Sequence, residues 1–105
     1  MVCLYGAQKK KIIYQIKSLW KKSTGIHTHD NMGKALENSI AAINNSVDWI
    51  DCTVTGMGRG PGNTKTENLI LELKRKKENF IYLINLIKNY FEPLKTKYKW
   101  GLGAC

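Results

Sequence analysis

The sequence lacks any apolar run close to the roughly 18 residues that a membrane span needs, which excludes a spanning helix. The first six residues are too few, and the lysines stand on the wrong side of them, for a signal peptide. Internal repeats and low-complexity linkers are also lacking. We therefore expect one cytoplasmic globular domain over residues 1–105, without a membrane partner.

Cysteine is scarce, and its spacing is uninformative. Cys3, Cys52 and Cys105 form no CxxC pair and are odd in number, so neither a disulfide framework nor a zinc ribbon is expected. Cys52 lies in a β-like apolar run, where a thiol is most simply a small buried hydrophobe.

Acidic residues are also few: 8 against 17 basic ones, for a net charge of +9. A nucleic-acid footprint is one interpretation. However, the lysines at 9–11, 21–22 and 74–77 fall on predicted helices with an apolar opposite face, which is typical of solvated helix surfaces. No exposed aromatic row suggests base stacking. We therefore predict no nucleic-acid partner.

Hydrophobic periodicity predicts two strands among four helices. Helices are expected at 8–22, 33–45, 64–77 and 79–90, and strands at 25–29 and 47–55. Thr64 and Glu67 have the spacing of a capping box for the third helix. Pro93 is expected to start a new turn rather than continue the last helix. Alternating helices and strands predict an α/β fold with parallel strands, and two strands alone would leave an unfinished sheet.

Two histidines stand at the end of the first predicted strand. Because strand side chains alternate, His27 and His29 should lie on one face, as two ligands of a divalent cation would. The alternative is one packed histidine and one chance neighbour. Asp30 would orient His29 or a ligand water, or cap the next helix.

A glycine-rich loop, residues 56–62, ends in Asn63 after the second strand. Glycine suits backbone that approaches a ligand or adopts positive φ. No Lys-Ser/Thr follows, so a P-loop fits poorly. Asp51, on the preceding strand, is either a group supporting the site or a structural acceptor, and the sequence favours the structural role.

These residues resemble the DRE-TIM metallolyase superfamily, the HMGL-like catalytic domains. The likeness runs from about residue 12 to 100 and includes the stretch 27–35, Asn38, and the segment from Asp51 through the glycine loop to Glu67. Members include 4-hydroxy-2-oxovalerate aldolase, 3-hydroxy-3-methylglutaryl-CoA lyase and isopropylmalate synthase.

The resemblance implies a partial TIM (β/α)8 barrel: its last two strands with their helices, plus a helical extension. The amino-terminal half of the barrel would then be a missing partner, and an oligomer is compatible with the pattern. Because a complete barrel needs about 250 residues, the 105-residue chain alone should be inactive or nearly so. Both ends resemble truncation or altered-frame boundaries.

The resemblance also implies the chemistry. His27 and His29 would bind a divalent metal, Mn²⁺ or Mg²⁺, with Asn63 as a weaker ligand, and His27 is the candidate catalytic residue. Arg59, with Gly58 and Gly60, would bind the substrate, a small 2-oxo acid. An exposed loop arginine without a role is the alternative for Arg59.

Two differences between this sequence and the family pattern indicate which of the family's reactions to expect. The family's metal-binding Asp and neighbouring Arg belong to the first strand, which is absent here, and no cysteine stands between Gly56 and Asn63, which argues against the CoA-lyase branch. An aldolase that cleaves a 4-hydroxy-2-oxo acid to pyruvate and an aldehyde is then the leading expectation. The alternatives are an acyl-CoA-condensing synthase of the isopropylmalate type and a non-catalytic basic interaction module.

Overall fold

The computed structural model describes residues 6–73 and 77–101 as a mixed α/β structure. Cys3, Cys105 and most of the lysine cluster at 74–77 lie outside these ranges. The elements within them follow the predicted order of helices and strands. They are α1 (Gly6–Leu19), β1 (Gly25–His27), α2 (Ala35–Asn44), β2 (Trp49–Asp51), α3 (Thr66–Glu72), α4 (Lys77–Leu86) and α5 (Glu92–Tyr98).

The two strands pair in parallel, as predicted, and His27 lies opposite Asp51 in the register. Both strands alternate between exposed outer positions and a half-buried middle residue, Ile26 or Ile50. One face of the sheet therefore packs towards the protein, whereas the other is open. The exposed fraction of Trp49 on that open face is 69%.

The second strand is shorter than the predicted 47–55. Alternation continues in the sequence, but the chain leaves the strand after Asp51 and turns at Val54–Gly56. Thr55 has a φ of 57°, in the left-handed region that non-glycine residues seldom occupy. Its backbone N–H donates to Glu67 Oε1 at 3.0 Å instead of to a neighbouring strand.

The predicted capping box at the start of α3 is wrong. Lys65 is the N-cap residue, and no side-chain hydrogen bond caps the helix. The Glu67 side chain accepts a hydrogen bond from the backbone N–H of Thr55. The Thr64 hydroxyl contacts the hydroxyls of Thr28 and Ser39 in a buried cluster. Tertiary partners thus replace the local ones that the spacing suggested.

The prediction for Pro93 is also wrong, because helix continues through it. Proline is the second residue of α5, directly after a π-type turn at Ile87–Phe91. A proline ring clashes with the carbonyl four residues before it in a regular α-helix, and a wider π-type turn relieves that clash.

The core is small. Only Ile13 of the α1 apolar stripe is buried; Ile12, Ile16, Leu19 and Trp20 are exposed. In the described part of the chain no helix is both long and apolar enough to cross a bilayer. The fully apolar buried side chains are Ile13, Ala35, Ala42, Leu69 and Ile87, joined by Trp100.

Candidate metal site

Two imidazoles share one side of the chain at the carboxyl end of β1. The ring centroids of His27 and His29 are 4.8 Å apart, with an interplanar angle of 73°. Thr28 between them is buried, whereas both histidines are exposed. The predicted common face is therefore confirmed, while the role of the rings as metal ligands stays a prediction.

Asp51 lies beside the first of these rings. Its Oδ2 is 3.3 Å from His27 Nδ1, because parallel pairing sets the two residues opposite each other. A carboxylate that accepts from Nδ1–H fixes the imidazole and leaves Nε2 available to a ligand. The contact favours a supporting role near the site over the purely structural one that the sequence favoured.

The glycine loop returns alongside the histidines. His29 and Asn63 form an antiparallel bridge, and Asp30 N donates to Gly62 O at 2.8 Å. Asn63 Nδ2 donates to Met57 O at 3.0 Å, whereas Asn63 Oδ1 is buried without a hydrogen-bond partner among the described residues. An unsatisfied buried acceptor costs free energy, so an amide oxygen left in this state suits a cation.

Contacts inside the loop explain two of its glycines, Gly58 and Gly62. A Cβ on Gly58 would lie 2.5 Å from Asn63 Nδ2, so glycine makes room for the amide. Gly62 has a φ of +85°, and its Cβ would lie 2.3 Å from Gly56 O. The substrate-binding role of Gly58 remains a prediction, since these contacts account for the glycine without a ligand.

Two other predicted residues lie at the loop tip. Arg59 and Gly60 are exposed, and Gly60 O accepts from Gly101 N at 2.8 Å. Their contact with a substrate stays a prediction. Asp30 Oδ1 accepts from Ala35 N, the first amide of α2, at 3.1 Å, so of its two predicted roles the structure shows the structural one.

Sequence reasoning missed a buried hydroxyl cluster under the histidines. Ser39 Oγ lies 3.1 Å from Thr28 Oγ1 and 2.9 Å from Thr64 Oγ1, and the two threonine hydroxyls also contact each other. Ser39 belongs to no motif in the sequence. No local pattern in the sequence links positions so far apart.

The donor set fits a divalent ion in part. Two imidazole nitrogens and one amide oxygen are acceptable ligands, but among the described residues no group of three or more His, Cys, Asp or Glu side chains is arranged to hold an ion.

Comparison with known proteins identifies the family of this chain. A family model described as HMGL-like matches residues 3–96. The chain belongs to the HMGL-like family. The predicted resemblance to the DRE-TIM superfamily is thereby confirmed.

Similar proteins carry two kinds of name. A 2-isopropylmalate synthase of Vesicomyosocius okutanii is 32% identical over 76 residues, and that of Halalkalibacterium halodurans is 35% identical over 65 residues. The matches cover 72% and 62% of this chain but only 15% and 13% of the synthases. The N-terminal domain of a presumed aldolase from Bacteroides vulgatus aligns with a TM-score of 0.74 and 39% identity, covering 90% of this chain and 33% of that one.

Proposed function

We propose that this chain forms the metal-binding end of a (β/α)8 barrel that joins an acyl-CoA to a 2-oxo acid, as a synthase of the isopropylmalate type. The observation that carries the proposal is the His27–His29 ring pair, with His29 bridged to Asn63 through the backbone. The named synthase relatives support the condensing reaction over the cleavage expected from the sequence.

The chain's own residues have distinct parts in this proposal. His27 and His29 would coordinate the cation through ring nitrogens, and Asn63 would coordinate it through its side-chain oxygen, which has no hydrogen-bond partner among the described residues. Asp51 holds the His27 ring through Nδ1. Arg59 stands in the loop that borders the histidines, where a guanidinium suits a substrate carboxylate. A bound Mn²⁺ or Mg²⁺ would supply Lewis-acid stabilisation of charge on the substrate oxygens.

The amino-terminal part of the barrel is the proposed partner. The open sheet face and the uncovered apolar stripe of α1 are surfaces against which further strands and helices would pack. The chain corresponds to a minor share of its relatives' length, so the activity belongs to the whole barrel. We predict that the 105-residue chain alone catalyses neither reaction.

An aldolase reaction is the second candidate. It is favoured by the Bacteroides vulgatus structure, to which this chain is 39% identical. In that case the same ligands would serve the cleavage of a 4-hydroxy-2-oxo acid.

The two reactions are distinguished in a complete barrel, made as a chimera carrying this chain in place of the matching segment of the Halalkalibacterium halodurans synthase. We expect Mn²⁺-dependent release of free CoA with a 2-oxo acid and acetyl-CoA, lost on His29→Ala. Pyruvate release from a 4-hydroxy-2-oxo acid, without CoA release, would assign the aldolase reaction instead. If neither CoA nor pyruvate is released, both candidate reactions are contradicted.

A further inference from the structure

We propose that the buried hydroxyl cluster of Thr28, Ser39 and Thr64 is a positioning device that holds the histidine pair and Asn63 at a fixed separation. The inference rests on the proposed function, because it concerns the ligands of that metal site. It assigns a role to three side chains that would not themselves contact the ion.

The cluster is placed directly behind the candidate ligands. Thr28 stands between His27 and His29, and Thr64 follows Asn63. Because side chains alternate along extended backbone, a threonine held on the inner side forces its neighbours to the outer side. The contact between the hydroxyls of Thr28 and Thr64 therefore joins the two backbone segments that carry all three ligands.

Burial makes this connection costly to lose. Thr28 is 8% exposed, Thr64 1% and Ser39 0%. Away from water, a hydroxyl that loses its partner keeps its full desolvation cost, and this penalises any movement that separates the three residues.

Every hydroxyl proton of the cluster can find an acceptor. Three hydroxyls supply three protons, and four contacts are available: the three mutual ones and Thr28 Oγ1 to Ala35 O at 3.2 Å. Every proton therefore has an acceptor, while one contact at a time lacks a proton. Ala35 begins α2, so the same cluster ties the ligand segments to a helix.

The test compares threonine-to-valine changes, which keep shape and remove the hydroxyl. In Thr28→Val and Thr64→Val we expect the dissociation constant of the chain for Mn²⁺ to rise about tenfold, as for other groups that orient metal ligands. Ser39→Ala should have a smaller effect, since Ser39 flanks no ligand. Thr28→Ser and Thr64→Ser keep the hydroxyl and should restore binding.

Thr53→Val is the matched control. Thr53 Oγ1 is also buried but has no hydrogen-bond partner among the described residues, so its loss should leave Mn²⁺ affinity unchanged. If Thr28→Val and Thr64→Val weaken binding no more than Thr53→Val, or if the serine variants fail to restore it, the positioning role is wrong. Should Thr28→Val prevent folding, Thr64→Val removes the same contact from the other side.

A second measurement separates this inference from the proposed function. Nuclear Overhauser contacts between the His27 and His29 ring protons report their packing without metal. We expect them to weaken in Thr28→Val and persist in Thr53→Val. If the unsubstituted chain does not bind Mn²⁺ but the ring contacts still depend on Thr28, the metal site is wrong and the positioning role stands. Ring contacts unaffected by Thr28→Val would overturn the positioning role whatever the metal does.

Discussion

The two imidazoles are the residues on which the proposed site depends most directly. Replacing either His27 or His29 with alanine should lower Mn²⁺ affinity on the order of a hundredfold, because one of the side chains that bind the ion directly is lost. Asp51→Asn should cost about tenfold at most, since the amide still contacts Nδ1 but no longer offers a charged acceptor. Isothermal titration of each variant measures these effects. Histidine variants that bind Mn²⁺ as tightly as the unsubstituted chain would refute the ligand assignment.

Gly62 is the residue where backbone geometry leaves least freedom. Gly62→Ala would combine a φ of +85° with a Cβ placed 2.3 Å from Gly56 O, a backbone atom that cannot move aside cheaply. We expect it to lower the free energy of unfolding by at least about 2 kcal/mol.

Gly33 provides the matched control for that substitution. It also has positive φ, +66°, but an added Cβ would meet nothing within 4 Å. Gly33→Ala should therefore cost only about 1 kcal/mol, the conformational part alone. Urea unfolding compares the two variants, and equal losses would show that the contact with Gly56 is unimportant.

At the scale of elements, a carboxylate makes one of the hydrogen bonds that join α3 to the segment after β2. Glu67 Oε1 accepts from the N–H of Thr55, a buried residue in the turn that ends the strand region. Glu67→Ala would leave that amide without its partner, and we expect a loss of about 1–3 kcal/mol in unfolding free energy. Glu67→Gln retains an acceptor oxygen and should lose less. Equal destabilisation by the two changes would mean that the hydrogen bond is not what matters.

The elements show which features a sequence can predict. Period-two alternation correctly placed His27 and His29 on one face, because strand geometry alone decides it. The same alternation overran the end of β2, since the turn at Thr55 is held by Glu67 from another element. For the same reason the capping box failed: Thr64 takes distant buried partners over a local one.

In the candidate site, the sequence likewise predicted the candidate ligands but not the contacts between distant residues that support them. The ligand candidates stand in short motifs, whereas the pairing of His27 with Asp51 depends on strand register, and the hydroxyl cluster depends on three segments meeting in space. Interactions of that kind leave no periodic trace in one sequence.

At the scale of the whole molecule, the open face of the sheet is the surface that the proposed barrel would cover. Trp49 lies on that face beside the position of Gly25 and is 69% exposed. An indole of this size would be buried once further strands closed over the face, because barrel interiors are filled with side chains. Acrylamide should therefore quench Trp49 fluorescence in the 105-residue chain and quench it much less in the complete barrel.

Trp20 is the second exposed indole in this experiment. It follows α1, is 51% exposed, and donates its indole N–H to Ser23 O at 2.9 Å. Trp20 continues the apolar stripe of α1, which further elements of the proposed barrel would cover, so its quenching should also fall in the complete barrel. Trp49→Phe and Trp20→Phe variants assign the signals to each indole. If Trp49 is quenched equally in the complete barrel, its face of the sheet is not an interior face, and the histidines on the same face cannot point into a closed active site.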